Sequence, residues 1–323
     1  MIAIHKYMTT ALVAVMVLLG TLLPGSASAE EAGAVIRLKV ALLPIFDVLP
    51  FYVAREKGYF DARGVEIQAV PVGSGLERDQ LMQAGEIDGM LNEMISTAGF
   101  NRKTIKTRII SIARHPYPQH PSFRLITAPG LSIGEVTEMA RIPVAVSKNT
   151  IIEYVADRLM AAKGLKPFEI KKISVPVITE RYQLLMRGQI QAAVMPDPLA
   201  LSAIAGGAGE VFNDALDPQY SASVLTFSTR SLTEKKDAVR LFVKGWHRAV
   251  EDINQNPQAF RDLLLKNIRV PKNINDSFKI PRFPHAKVPD RAQWKDVIDW
   301  MMDKGLLEAP VSYDESVTGD FLS

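Results

Sequence analysis

The chain contains no cysteine. That excludes disulfides, thiolate metal sites, cysteine nucleophiles and a lipidated N-terminal cysteine. Histidine is scarce: beyond the N-terminal segment only His115, His120, His247 and His285 occur, none in an HExxH or triad-like setting. No phosphate-loop or dinucleotide-binding motif appears either. His115 and His120 fall in a proline-rich stretch, where solvated side chains are expected. Charge of one sign is also lacking, since 38 Lys and Arg stand against 35 Asp and Glu. A near-neutral chain without a clustered basic face is not a nucleic-acid binder. Long hydrophobic runs are confined to Ala11–Leu23, preceded by His5 and Lys6 and followed by Ala27-Ser28-Ala29. This reads as a secretory signal peptide cleaved after Ala29, too short and too closely followed by small residues for a membrane span. The mature protein is therefore expected to be periplasmic and soluble, without stable membrane insertion.

Residues 30–323 are enough for two lobes. Ile36, Leu38, Val40 and Leu42 alternate with Arg37, Lys39 and Ala41, the period-two pattern of a strand with one buried face. Pro44 stops the strand. Asp47 can then cap a helix that carries Pro50 in its first turn and ends at Gly58. Val65–Ala69 reads as a second strand, Pro71–Gly75 as a loop, Leu76–Ala84 as a helix and Ile87–Leu91 as a buried strand, so the sheet is expected to be parallel. Strands are expected over Arg108–Ala113 and Phe123–Ala128, with a weak helical pattern over Leu131–Arg141.

The architecture then recurs. Ile142–Val146 is a strand, Ser147–Thr150 a loop and Ile151–Lys163 a helix, with Thr150 and Glu153 spaced as a capping box. Leu184-Leu185-Met186-Arg187-Gly188-Gln189-Ile190 aligns with Leu81-Met82-Gln83-Ala84-Gly85-Glu86-Ile87. Two lobes of similar construction follow: residues 30–126 for the first, 127–223 for the second, and 224–323 returning to the first with apolar helical faces such as Val239, Phe242, Trp246 and Val250. In open α/β sheets ligands bind beyond the carboxyl ends of the strands, where helix starts offer free N–H donors.

Leu49-Pro50-Phe51-Tyr52-Val53-Ala54-Arg55-Glu56-Lys57-Gly58-Tyr59-Phe60 followed by Gly64-Val65-Glu66-Ile67 resembles the most characteristic segment of one family: the solute-binding proteins of ABC importers of the nitrate, sulfonate, taurine and thiamine-precursor type. Ala84-Gly85-Glu86-Ile87-Asp88, Ile142–Ser147 and the closing Val311–Leu322 are similar to further motifs of that family, so the resemblance covers nearly the whole mature chain. Gln191 departs from it, standing where the second glycine motif often has Asp. The resemblance implies a type II periplasmic binding protein: two α/β lobes, each a mostly parallel sheet flanked by helices, joined by two crossover segments. It also implies a small-molecule solute held in the cleft by hinge closure, a membrane permease with its ATPase as partners, a monomer, no cofactor and no catalytic activity.

The cleft loops fall on Phe46 and Asp47, on Ser74 and Gly75, on Asn92 and Glu93, on Ser147, Asn149 and Thr150, and on Asp197. Asp88 and Glu56 are expected to be structural. Asp47, Glu93 and Asp197 would repel an anion unless neutralised, which points to a neutral or cationic organic solute, with Phe46 available to stack on a heterocycle. Two alternatives remain open: an enzyme of the same fold, of the thiamine-pyrimidine or menaquinone type, and a periplasmic partner that presents its ligand to a sensor.

Overall fold

The alternation around Val40 builds strand β1 (Ile36–Leu42), with Leu38, Val40 and Leu42 packed into the core. It lies between two parallel neighbours, β2 (Val65–Pro71) and β3 (Gly89–Glu93), and the crossovers are helices α1 (Leu49–Glu56) and α2 (Gly75–Ala84). Helix α3 (Met94–Asn101) leads to β4 (Thr107–Arg114), and the chain then crosses to a second sheet at β5 (Phe123–Thr127). In that sheet β6 (Val144–Val146) is parallel to β7 (Lys172–Ser174) and β8 (Ala192–Pro196), with α4 (Ile151–Ala162) and α5 (Ile178–Met186) as crossovers. Helix α6 (Leu199–Ala205) and β9 (Glu210–Asn213) complete it, and the chain returns to the first sheet at β10 (Ser223–Ser228). This computed structural model describes residues 35–133, 135–216, 220–268 and 270–322. The export signal expected over residues 1–29 lies outside them.

The two sheets share one design, with orders β2-β1-β3-β10-β4 and β7-β6-β8-β5-β9. In each, the fourth strand runs antiparallel to both neighbours and is the first strand after a crossing. All of β5 pairs within the second sheet, so the first crossing lies between Arg114 and Phe123, ahead of residue 126. The fold is the mixed, mostly parallel two-lobed α/β arrangement expected from the strand–loop–helix repeats.

After β10 come α7 (Thr229–Glu234) and the long amphipathic α8 (Lys236–Gln255), whose Val239, Phe242, Trp246 and Val250 are buried against the first lobe. Each such side chain contributes roughly 1.5–3 kcal/mol by leaving water. Phe242 stacks on Phe60 with ring centroids 5.5 Å apart. A side chain at Gly245 would lie 2.7 Å from the Phe60 ring, so glycine is what lets α8 approach the end of α1 this closely. Helices α9 (Arg261–Asn267), α10 (Arg291–Asp303) and α11 (Tyr313–Ser316) follow. Helix α10 packs on α3 of the first lobe and bonds to α4 of the second: Tyr154 and Arg158 donate to Asp296, and the Trp300 indole N–H donates to Asp157 at 3.0 Å.

Two local expectations fail. Asp47 does not cap α1, whose start carries no side-chain cap. A 3₁₀ turn at Phe46–Val48 precedes the helix, and the buried Asp47 carboxylate is satisfied elsewhere, by the charged Arg114 guanidinium and the Ser223 hydroxyl. The weak pattern over Leu131–Arg141 yields only a 3₁₀ segment, Val136–Arg141.

Candidate functional site

The carboxyl ends of β1, β3, β6, β7 and β8 meet at one cavity of about 50 Å³ between the lobes. Its wall is largely apolar, from Leu43, Ile45, Leu91, Ile152, Pro176 and Ile178, with a few polar groups set among them. Six of the expected residues come together there: Asp47, Gly75, Asn92, Glu93, Ser147 and Thr150.

The other four lie elsewhere. Ser74 is turned to local work, its hydroxyl accepting from the Glu77 N–H at the start of α2. Asn149, whose φ is 61°, lines a separate depression beside α3. Phe46 stacks on Phe278 at 5.5 Å, and Phe46 and Asp197 line a second cavity behind the first. Thr150 caps α4 by accepting from the Ile152 N–H, while Glu153 accepts from Asn149 N–H rather than from Thr150, one residue away from a true capping box. Asp88 is buried and ties β1 to the segment around α7 through Lys39 N–H, Ser231 and Lys235.

The three acids read as anion-repelling are each paired with an arginine. Arg114 Nη1 donates to Asp47 at 2.8 Å, and the Ser223 hydroxyl donates to the other carboxylate oxygen at 2.7 Å. Arg124 grips Asp197 with two donors at 3.1 and 3.3 Å. Arg78 holds Glu93 with two donors at 2.9 and 3.3 Å, and the Ile151 N–H at the start of α4 adds another. Glu93 thus links an arginine of one lobe to a helix N-terminus of the other, the position an anion favours. Burial acts to lower the pKa of Arg78, but Glu93 and Asp79 outweigh it and hold the guanidinium above its ordinary value. With every acid neutralised, the argument against an anionic solute loses its premise.

A fourth arginine has no such partner. Arg181 is fully buried in α5, and its Nη1 and Nε reach only the Val175 carbonyl at 2.6 Å and the Met195 sulfur at 3.3 Å. Its Nη2 has no hydrogen-bond partner among the described residues. Burial alone pushes its pKa down to about 10. Arg181 is not itself among the residues that line the cavity, but Pro176 and Pro196, next to its partners Val175 and Met195, are.

None of these arginines was among the expected site residues. Yet Arg78 precedes Gly85, and Arg181 precedes Gly188, by the same spacing within the repeat. Extending the Leu81/Leu184 alignment one turn upstream would have paired them.

The NMT1/THI5-like family model matches residues 45–260, most of the described chain. A Brachyspira hyodysenteriae chain named for an ABC transporter periplasmic binding protein is 23% identical over 252 residues, which are 75% of this chain and 71% of that one. Among solved structures, the alkanesulfonate-binding protein SsuA of Xanthomonas axonopodis pv. citri, bound to MOPS, superposes with a TM-score of 0.74 at 17% identity, covering 89% of this chain and 99% of its own. The desulfurization enzyme DszB shares the fold as well, with a TM-score of 0.63 at 18% identity over 88% of this chain and 97% of that one. On the extent of the family match, the chain belongs to the NMT1/THI5-like family, and its two sheets give it the two-lobed fold shared with periplasmic binding proteins.

Proposed function

We propose that this protein captures a small organic anion between its lobes, closes on it by hinge motion, and delivers it to a membrane permease driven by an ATPase. Family membership supports the general role, and the single observation that supports the charge of the solute is Arg181. A buried guanidinium without a carboxylate costs several kcal/mol, and that cost is offset when a ligand supplies the missing charge. The apolar wall suits the carbon body of such a solute. Alkanesulfonates, the ligands named for the Xanthomonas relative, fall within this class.

Binding is favoured over catalysis by the state of the wall hydroxyls. Two of the three wall hydroxyls are committed, Ser223 donating a hydrogen bond to Asp47 and Thr150 to the Ser147 carbonyl, and no histidine lies among the lining residues to serve as a base. Mass spectrometry of the small molecule retained by protein purified from the periplasm tests the reading directly. An anion is expected, and it is expected to be lost from Arg181→Met. Retention of a neutral or cationic molecule, or of the same anion by the variant, would overturn it. Small-angle scattering with and without that molecule should show compaction on binding.

A further inference from the structure

The end of the second lobe away from the cavity carries an aromatic side chain that the fold does not use. The carboxyl ends of β6, β7 and β8 face the cavity, so the connection from α4 to β7, residues 163–171, covers the opposite end of that sheet. Leu165 and Ile170 are buried and fasten this connection to the core. Between them Pro167–Glu169 form one 3₁₀ turn, with the Glu169 N–H donating to the Lys166 carbonyl at 2.9 Å and the Lys166 N–H donating to the Glu169 carboxylate at 2.7 Å. Pro167 adds its fixed φ to the turn. Phe168 is the central residue, and at 79% it is the most exposed large apolar side chain among the described residues. A braced turn therefore holds this ring in water, where a slack loop would let it fold back.

The surroundings of the ring are basic. Lys163, Lys166 and Lys171 are exposed and form no ion pair among the described residues, and Lys166 Nζ lies 5.8 Å from the Phe168 ring centroid. Lys172, next along the chain, is drawn inward by Glu153 and Asp157. Arg187, exposed at the end of α5 ahead of β8, adds another cation at the same end of the sheet. Glu169 is the one acid between Arg158 and Ile173, and it is turned to the Lys166 N–H. Ile173, on the edge strand β7, extends the apolar exposure beyond the turn.

A projecting ring among unpaired lysines is complementary to a surface that is negative at its face and apolar just beneath. A phospholipid layer has that profile. A permease that receives solute is expected to touch both lobes at the cavity mouth, whereas this patch belongs to one lobe and lies at its far end.

We propose that this end of the second lobe makes reversible contact with an anionic phospholipid surface, Phe168 entering the boundary between headgroups and acyl chains and Lys163, Lys166 and Lys171 lying over the phosphates. Each lysine is worth about fivefold in affinity at such a surface, so three lysines and one ring give a weak hold without insertion. Contact here leaves the cavity free to load, and it does not depend on the identity of the solute.

The test is co-sedimentation of the mature chain with vesicles of phosphatidylglycerol and phosphatidylethanolamine, set against vesicles of phosphatidylcholine alone. Association is expected with the first and not with the second, and it is expected to fall as salt is raised. Lys163→Gln, Lys166→Gln and Lys171→Gln combined are expected to weaken it at least tenfold, and Phe168→Ser several-fold. All four side chains are exposed, so these variants keep the fold. Phe168→Trp reads the position of contact: the native indoles of Trp246, Trp294 and Trp300 are buried, so emission that shifts to the blue with anionic vesicles and is quenched by brominated lipid belongs to position 168. Equal association with phosphatidylcholine, unshifted emission from Phe168→Trp, or undiminished association of both the triple variant and Phe168→Ser would each overturn the proposal. Loss of solute uptake by Phe168→Ser with its vesicle association unchanged would assign the patch to a protein partner and overturn it as well.

Discussion

The α2–β3 unit of the first lobe and the α5–β8 unit of the second are built alike, and they differ at the end of the last strand. In the first, β3 closes with Glu93, which meets Arg78. In the second, β8 closes with Pro196, and Arg181, at the matching place on its helix, finds a carbonyl and a sulfur. One unit is electrostatically complete on its own and the other is not. A repeated fold can thus pair its buried arginine with an acid in the first copy and leave the matching arginine without a carboxylate in the second.

The sharpest way to break this contrast is to make the first unit as incomplete as the second. Arg78→Met strands Glu93 in a buried site and is expected to lower stability by about 3–5 kcal/mol in chemical denaturation. Next in size is an acid transition belonging to the first lobe. His247, on α8 against Ser111 of β4, is held neutral by burial, with its pKa pushed down to about 4 from 6.5. Its contribution is complete above the unfolded value and disappears as pH falls from 6.5 through about 4, a loss of about 3 kcal/mol. Thermal melting against pH should show this slope in the wild type and a flatter one in His247→Gln.

Arg181→Met should act in the opposite sense to Arg78→Met, leaving the solute-free protein unchanged or more stable by about 1–2 kcal/mol, because a charge without a counter-ion is replaced by a side chain of similar volume. A loss comparable to that of Arg78→Met would dissolve the distinction between the halves. Smallest of all, Thr150→Ala should cost about 1 kcal/mol through the lost cap on α4, measured by thermal melting.

The strand–loop–helix units were legible in the sequence because alternation at Ile36–Leu42 and helical spacing at Ile151–Ala162 are local signals. The place of the site was legible too, since strand ends and helix starts follow from the same patterns. Charge was not. Asp47, Glu93 and Asp197 look alike as letters, and their neutralisation rests on Arg114, Arg78 and Arg124, which lie 67, 15 and 73 residues away. Phe46 was likewise placed by a partner, Phe278, at the far end of the chain, which no period-two or 3.6 pattern can announce. His115 and His120 were expected to be solvated, and both are half-buried because the crossing segment is roofed by later chain.

The exchange of fourth strands sets an order on how the molecule can be made. The second sheet draws only on residues between Phe123 and Asn213, so it can assemble from an unbroken stretch of chain. The first sheet has β10 inserted between β3 and β4, and those two strands have no shared edge until Ser223–Ser228 arrives. Although its N-terminal strands leave the ribosome first, the first lobe must wait, with apolar strand edges open, for residues made more than a hundred positions later. The interval before β10 docks is when the chain is most exposed to aggregation, and it is the second lobe, in the middle of the sequence, that is equipped to fold first.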